Sequence, residues 1–311
     1  MEPPTITLAF GGDVHFAERT LKLLDAPSTA FGPIASVFEE ADIAMVNLET
    51  AVTERGTEEP KTFHFRSPAT AYDALRGAGI DIASLANNHA LDYGQVGLLD
   101  TIDHAAEKQF PIVGVGRDLN KAFAPWIEEV KGVRIAFLGM SQIGELAGRW
   151  AATATKPGMA MAFNEARAVK AVKDAEAQAD VVVVFMHWGL EYNECASGQQ
   201  KAFASKISKA GADIIVGSHV HKLQGDGWLG STYVAYGLSN FLWWYNDAAS
   251  NDTGVVRVTL SGAKIQKTEF LPAYIDRNTG QPKIVSGSEK KRIANKFTSL
   301  RSCTGLAAKP S

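Results

Sequence analysis

This chain of 311 residues has little of several features that would narrow its class. It has only two cysteines, Cys195 and Cys303. One long-range disulfide could join them, but two unlinked thiols are the simpler expectation. No apolar run approaches the roughly 18 residues that a membrane-spanning helix needs, so we expect no transmembrane segment.

The chain also lacks a strong charge of either sign. Its 31 basic and 34 acidic residues give a formal net charge of −3, and no basic run stands out. We therefore expect neither nucleic acid nor an anionic membrane as a partner. The start, Met1-Glu2-Pro3-Pro4, lacks the basic and apolar regions of a signal peptide. This predicts either a cytoplasmic protein or a mature chain whose leader was removed.

What the chain has is enough apolar sequence for a large core. Hydrophobic residues make up 46% of it, and it shows no internal repeat, low-complexity tract or linker. We predict a single domain over residues 1–311, with a core from about residue 5 to 275. Residues 276–311 would form a C-terminal extension that carries a helix.

Predicted strands and helices mostly alternate along the chain, with some hairpins. This order favours an α/β sandwich with mixed sheets over a purely parallel sheet. The predicted strands are Thr5–Phe10, Ile43–Val46, Ile80–Leu85, Pro111–Val115, Trp126–Val130, Val133–Leu138, Val181–Met186, Ile214–Val216, Thr232–Ala235, Val255–Leu260 and Lys264–Phe270. The predicted helices are Gly32–Glu40, Ala69–Gly77, Gly94–Lys108, Glu165–Ala177, Gln199–Ala210 and Ser288–Leu300.

Side chains that can donate a lone pair (carboxylate, amide and imidazole) follow five of these strands. In α/β sheets, ligands gather outside the carboxyl ends of the strands, where loops bring side chains together. Five of the seven histidines stand at such places, and only His64 and His104 do not. The side chains in question belong to Asp13, His15, Glu49, Asn88, His89, His187, His219 and His221. Their joint placement predicts a shared site.

The chemistry of this set suits a metal centre. Imidazole nitrogens mixed with carboxylate and amide oxygens are typical ligands of Zn²⁺, Mn²⁺ or Fe, and the lack of thiolates argues against a structural zinc site. A carboxylate between two cations can bridge them, and two metals about 3.5–4 Å apart can activate a water and offset charge on a leaving oxygen. We therefore predict two divalent metal ions (Mn, Zn or Fe).

The order D-x-H, carboxylate, N-H, lone His and H-x-H resembles that of the calcineurin-like metallophosphoesterase superfamily. More narrowly, the chain is similar to the CapA/PgsA family of bacterial poly-γ-glutamate capsule proteins. The narrow resemblance lies in Val46-Asn47-Leu48-Glu49-Thr50, Phe63-His64-Phe65-Arg66-Ser67-Pro68, Leu85-Ala86-Asn87-Asn88-His89, Asp92-Tyr93-Gly94, His187-Trp188-Gly189-Leu190-Glu191-Tyr192, Gly217-Ser218-His219-Val220-His221 and Tyr236-Gly237-Leu238-Ser239-Asn240-Phe241. It implies a four-layer α/β/β/α sandwich.

The resemblance also implies a role for each residue. Asp13, His15 and His221 would bind one metal, and Asn88, His187 and His219 the other. Glu49 would bridge them, where the wider superfamily more often has Asp. His89 would be the general acid that protonates the leaving group, and Asp92 would hold the tautomer of His89 and raise its pKa.

Four further residues are candidates for contact with substrate. Arg66 could bind a carboxylate or phosphate in a bidentate manner, although an exposed salt-bridging arginine is an equal alternative. Glu191 and Tyr192 follow His187 closely, and Trp243 could belong to an aromatic wall, although core packing is the commoner role of such residues.

The leading prediction is a dinuclear metal-dependent hydrolase, most simply a phosphoesterase, acting on a phosphorylated small molecule. The resemblance implies a role in poly-γ-glutamate capsule synthesis or export. Two alternatives stay open: hydrolysis or transfer at the γ-glutamyl amide bond, and a non-catalytic component that binds the anionic polymer or capsule synthase components. The resemblance implies an extracytoplasmic, cell-surface setting, in contrast to the cytoplasmic one suggested by the first residues.

Overall fold

A computed structural model describes residues 3–311, which form eighteen strands and eight α-helices. The expectation about a leader at Met1 and Glu2 lies outside the described residues. The strands are β1 Thr5–Val14, β2 Ile43–Leu48, β3 Ala51–Val52, β4 Arg66–Ser67, β5 Ile82–Ser84, β6 Ile112–Val113, β7 Val115–Gly116, β8 Trp126–Val130, β9 Val133–Ser141, β10 Gly158–Met159, β11 Val181–His187, β12 Ile214–Ser218, β13 Leu223–Leu229, β14 Thr232–Leu238, β15 Asn240–Leu242, β16 Asp252–Ser261, β17 Lys264–Ile275 and β18 Pro282–Ile284.

All the helices but the last cover the outer faces of the sheets. The helices are α1 Ala35–Glu39, α2 Thr70–Gly77, α3 Gly94–Glu107, α4 Leu119–Ala122, α5 Ala147–Trp150, α6 Glu165–Glu176, α7 Gly198–Ser208 and α8 Gly287–Leu300. The predicted helix Gly32–Glu40 is a 3₁₀ turn, Gly32–Ile34, followed by α1. In the part of the chain that is described, no helix is both long and apolar enough to cross a bilayer.

Two mixed sheets form the middle of the molecule. The first has the order β18-β17-β16-β1-β2-β5-β6, with β15 also paired to β1. The second has the order β13-β14-β12-β11-β9-β8. Within each sheet the central strands run parallel, and hairpins such as β8–β9 add antiparallel edges. The carboxyl ends of β1, β2 and β5 therefore lie at one edge, as do those of β11 and β12 in the second sheet.

Alternating side chains of the buried strands fill three apolar layers. In β11, Val183 and Phe185 face the first sheet, whereas Val182 and Val184 pack with Phe203 of α7. A third layer lies between the first sheet and helices α1 to α3. Three apolar layers separate four layers of structure, which confirms the predicted α/β/β/α sandwich.

The C-terminal residues close one side of this sandwich. Strand β18 pairs with β17, and Ile293 and Phe297 of α8 are buried in the layer between the two sheets. The division into a core and an extension stays a prediction, but these contacts tie the last residues firmly to both sheets.

The expectation of two unlinked thiols is wrong. Cys195 and Cys303 form a disulfide bond over a sequence separation of 108 residues. Cys195 lies in the loop after β11 and Cys303 in the 3₁₀ turn Arg301–Cys303 that follows α8. The two positions are distant in sequence, and their proximity depends on how α8 packs, which sequence patterns do not show.

Candidate metal centre

Within each sheet, the pairing register of the strands places the predicted ligands at the same height along the strand direction. In the first sheet Asp13 pairs with Asn47, and Asn47 with Ser84. In the second sheet His187 pairs with Ser218. Because these strands are parallel, the residues that follow them leave the sheets together.

Asp13, which is fully buried, connects the first sheet to the second. One of its carboxylate oxygens accepts a hydrogen bond from Asn47 Nδ2 at 2.8 Å, and the other accepts one from the His219 backbone N–H at 3.1 Å. The second bond crosses from the first sheet to the loop after β12. Asp13 is therefore held in place by both halves of the molecule.

Glu49 lies at the middle of the cluster and is fully buried. Its Oε2 accepts a hydrogen bond from Asn47 at 3.2 Å, while its Oε1 has no hydrogen-bond partner. Oε1 is 3.8 Å from both His89 Nε2 and His187 Nε2. Ligand atoms of Glu49, His187 and His219 all lie within 4.8 Å of one another. A buried carboxylate oxygen without a partner, surrounded by imidazoles, is well suited to a cation.

His187 is fixed at both ring nitrogens. Its Nε2 lies 2.8 Å from Asn88 Oδ1, and its Nδ1 lies 2.9 Å from Ser218 Oγ. Two predicted ligands, His187 and Asn88, thus present their ligand atoms side by side, and Ser218 orients the ring from behind.

The two histidines of the H-x-H segment have left-handed backbones. His219 has φ of 89° and His221 has φ of 55°, an unfavourable region for residues with a side chain. His221 donates from Nδ1 to Asn240 Oδ1 at 2.7 Å, which leaves Nε2 with the lone pair that a metal needs. The buried Nδ1 of His219 has no hydrogen-bond partner.

His89 and Asp92 are in contact as predicted. His89 Nδ1 donates to Asp92 Oδ2 at 2.7 Å, so its Nε2 faces Glu49. The other Asp92 oxygen lies 2.9 Å from the ammonium of Lys61, whose side chain is 2% exposed. Lys61 also donates to the backbone carbonyl of Asn88 and pairs with Glu145 at 3.1 Å. Lys61 thus joins the proton-donor pair to the metal-ligand loop.

Burial dominates the ionisation of these groups. It lowers the pKa of His187, His219 and His89 well below the ordinary value, so the rings are neutral, the form in which imidazole binds metals. The expectation that Asp92 raises the pKa of His89 is wrong, because burial of the ring outweighs the neighbouring carboxylate. Burial and then the nearby Asp13 raise the pKa of Glu49 well above its usual range. A carboxylate in that environment gains strongly from a neighbouring cation.

His15 differs from the other predicted ligands. Its ring stacks on Trp243 with centroids 4.1 Å apart, and its Nε2 accepts a hydrogen bond from the Trp244 backbone N–H at 3.0 Å. A neutral imidazole that accepts at Nε2 carries its proton at Nδ1 and has no lone pair left for a metal. This geometry places the His15 ring among the aromatic side chains around Trp243. Its role as a metal ligand stays a prediction, and the geometry does not support it.

A pocket of about 300 Å³ opens over the cluster. Of the predicted substrate-binding residues, Glu191, Tyr192 and Trp243 line it, together with Lys61, Phe63, Phe65, Asn88, His89, Glu145, His221, Trp244 and Tyr245. Arg66 does not line it. The Arg66 guanidinium instead stacks on the ring of Tyr93 at 3.5 Å from the centroid.

These residues fit a divalent metal centre. Glu49 Oε1 and His219 Nδ1 are buried without partners, His221 Nε2 is freed by Asn240, and Asp13 supplies a second buried carboxylate. Mixed oxygen and imidazole donors of this kind suit Mn²⁺, Zn²⁺ or Fe. Asp13, Glu49, Asn88, His187, His219 and His221 would supply the ligands of such a centre.

Sequence reasoning missed the residues that orient these ligands. Asn47, Ser218 and Asn240 each hydrogen-bond a predicted ligand. All three lie inside the sequence blocks that carried the family resemblance, so a search for partners within those blocks could have found them. Lys61 and Glu145 lie outside the blocks and carried no signal.

Comparisons with known proteins agree with this architecture. The chain is 29% identical over 298 residues to the PGA biosynthesis protein CapA of Bacillus subtilis, covering 94% of this chain and 78% of that protein. It is 28% identical to the capsule biosynthesis protein CapA of Bacillus anthracis, covering 96% of this chain and 74% of that protein.

Solved structures share the fold at low sequence identity. A novel phosphatase from Mycoplasma pneumoniae superimposes with a TM-score of 0.56 at 14% identity, covering 87% of this chain and 94% of that one. A putative 5'-nucleotidase from Staphylococcus aureus gives 0.55 at 16% identity, covering 94% and 58%. These neighbours confirm the predicted metallophosphoesterase-like fold.

A family model described as "Bacterial capsule synthesis protein PGA_cap" matches residues 7–245, which include every predicted metal ligand. This match spans most of the chain, and the two CapA relatives extend over nearly all of it. The chain belongs to the PGA_cap family of bacterial capsule synthesis proteins.

Proposed function

We propose that this chain is a hydrolase of phosphate esters that depends on two divalent cations and serves capsule synthesis. The observation that carries the proposal is the buried cluster of Glu49, His187 and His219, whose ligand atoms lie within 4.8 Å of one another. Bound cations would supply an activated water and positive charge for the phosphoryl oxygens.

The chain's own residues would position and protonate the substrate. Water adds to phosphorus, the bond from phosphorus to the leaving oxygen breaks, and that oxygen needs a proton. His89 is suited to relay it: Asp92 holds the Nδ1 proton, so the neutral Nε2, 3.8 Å from Glu49, can take the proton that the attacking water releases and pass it to the leaving oxygen. Lys61 holds Asp92 and the Asn88 carbonyl, so it would position His89.

The link to capsule synthesis rests on the family. Relatives carry the names PGA biosynthesis protein and capsule biosynthesis protein. We propose that this chain acts on a phosphorylated intermediate of such a pathway. The poly-γ-glutamate polymer and capsule synthase components are the partners to test beside it.

The test is metal content and hydrolysis on the purified chain. We expect close to two bound transition-metal ions per chain, and hydrolysis of p-nitrophenyl phosphate or bis-p-nitrophenyl phosphate after addition of Mn²⁺, Zn²⁺ or Fe²⁺. His219→Ala should lose bound metal and activity, whereas His89→Asn should keep the metal and lose about 100-fold or more in kcat. His104→Gln, outside the pocket, is the matched control and should change neither quantity.

Other outcomes point to other functions. Release of glutamate from the polymer, with no phosphoester hydrolysis, would select the γ-glutamyl amide reaction. A chain that binds no transition metal yet binds the polymer would exclude both enzymatic functions and select a non-catalytic role in assembly.

A further inference from the structure

Exposed aromatic side chains are concentrated at the mouth of the candidate site. Among residues 3–311, four aromatic side chains are largely exposed, namely Phe63, Phe163, Tyr192 and Tyr245, at 48–56%. Three of these four line the one pocket above the metal-ligand cluster. Solvent-exposed rings are unfavourable in water, so their grouping at one opening calls for an occupant.

Phe63 and Tyr245 form a continuous wall with the half-buried Trp244. Its indole lies 6.4 Å from Phe63, 6.0 Å from Phe65 and 5.3 Å from Tyr245, measured between ring centroids. The wall is held at its base, because the Trp244 backbone N–H donates to His15. Ring distances of this size are those of interacting aromatic pairs, and another flat ring can extend the series.

The charges around this mouth do not favour a polyanion. Lys61 is the only lysine or arginine that lines the pocket in the described part of the chain. Its ammonium is already engaged by Asp92, Glu145 and the Asn88 carbonyl. Glu145 and Glu191 line the same opening, and Glu191 is exposed and makes no ion pair with residues 3–311. A polymer of carboxylates would be repelled by these two glutamates and would find no unpaired lysine or arginine among the described residues of the pocket.

We infer that the substrate carries a flat, aromatic group on the alcohol side of its phosphate ester, bound by the wall of Phe63, Trp244 and Tyr245. This inference rests on the proposed function for the position of the phosphoryl group. It identifies a specificity site that rejects the carboxylate-rich polymer itself and accepts a small aromatic phosphoester.

Binding of two non-hydrolysable phosphonates tests the inference independently of turnover. Isothermal titration of the Mn²⁺-supplemented chain with 1-naphthylmethylphosphonate and n-butylphosphonate should show about tenfold tighter binding of the aromatic compound. Phe63→Ala and Trp244→Ala should each reduce that preference about threefold to tenfold. Phe163→Ala, an equally exposed ring outside the pocket, is the matched control and should leave it unchanged.

Charge is tested with tri-γ-glutamate as competitor. It should bind at least about tenfold more weakly than the naphthyl phosphonate, and Glu191→Gln should improve its binding while Glu129→Gln, on β8, should not. Equal binding of the two phosphonates, an unchanged preference in both wall variants, or tight binding of tri-γ-glutamate would overturn the inference. If ester hydrolysis occurs without any aromatic preference, the proposed function stands and this specificity site does not. If the aromatic preference is seen without ester hydrolysis, the specificity site stands and the proposed function does not.

Discussion

At the scale of single residues, strand ends bring the ligand side chains together and loop contacts orient them. Asp13, Glu49, Asn88, His187, His219 and His221 all lie at the carboxyl ends of strands, a place that alternation and strand order predict. The hydrogen bond from the Trp244 amide to His15 depends on the course of a loop 229 residues away in sequence. Loop courses carry no periodicity, and for this reason the position of His15 was not predictable.

Asp92 provides a prediction about pH. Burial raises its pKa from 3.8 to about 6, against the opposing effect of Lys61. Between about pH 4 and 6 the folded state therefore binds more protons than the unfolded state, and the free energy of unfolding falls as pH rises. The shift of about two pKa units corresponds to about 3 kcal/mol at most.

Denaturant titrations of metal-free protein at several values between pH 4 and 7 measure this slope. Asp92→Asn should remove the part of the decrease in unfolding free energy with rising pH that is due to Asp92. Asp174→Asn, an exposed carboxyl on α6, should keep the slope of the unaltered chain. Parallel slopes in all three proteins would contradict the assigned ionisation.

At the scale of elements, periodicity identified the buried strands and long helices well. The predicted Val181–Met186 and Glu165–Ala177 differ from the observed β11 and α6 by one residue. The predicted first strand ends too early, because β1 continues through Gly11 and Gly12 to Val14 while it pairs with β15. Two glycines in a row predict a loop, and only the pairing strand makes them part of the sheet.

Gly12 shows why a glycine is needed there. A Cβ at this position would lie 2.0 Å from the carbonyl oxygen of Ser239 and 2.8 Å from that of Leu238, both backbone atoms. Gly12→Ala should therefore force β1 and the segment before β15 apart, lower the free energy of unfolding by about 1–3 kcal/mol or more, and displace Asp13.

Chemical denaturation and Mn²⁺ titration measure both effects. Gly144→Ala is a suitable control, because nothing lies within 4 Å of its Cβ position. It should stay within about 0.5 kcal/mol of the unaltered chain. A Gly12→Ala variant with normal stability and metal affinity would show that the close approach of the two strands is not required.

At the scale of the whole molecule, the family resemblance predicted the four layers of the sandwich. It did not predict the disulfide bond. The Cys195–Cys303 disulfide joins the loop that carries Glu191 and Tyr192 to the turn after α8. In the chain-entropy account, such a link stabilises mainly by restricting the unfolded chain, by about 2–4 kcal/mol.

Removing the link should affect both stability and substrate binding. Cys195→Ser/Cys303→Ser should lower Tm, and it should raise KM more than it lowers kcat, because the loop at the pocket mouth loses its anchor. Dithiothreitol should lower the Tm of the unaltered chain and leave that of the double variant unchanged. An effect of dithiothreitol on the double variant would show that reduction acts elsewhere.

The same disulfide determines how mechanical load passes through the molecule. The bond closes a covalent ring that contains α7, β12 to β18 and α8, and the segment after Cys303 lies outside it and bonds β13 through Ala307 and Trp228. Tension that reaches Cys303 from this segment passes partly through the disulfide to the backbone at Cys195, near Tyr192, and does not act on α8 alone. Force on the segment after Cys303 therefore reaches the loop that carries Glu191 and Tyr192, at the rim of the pocket.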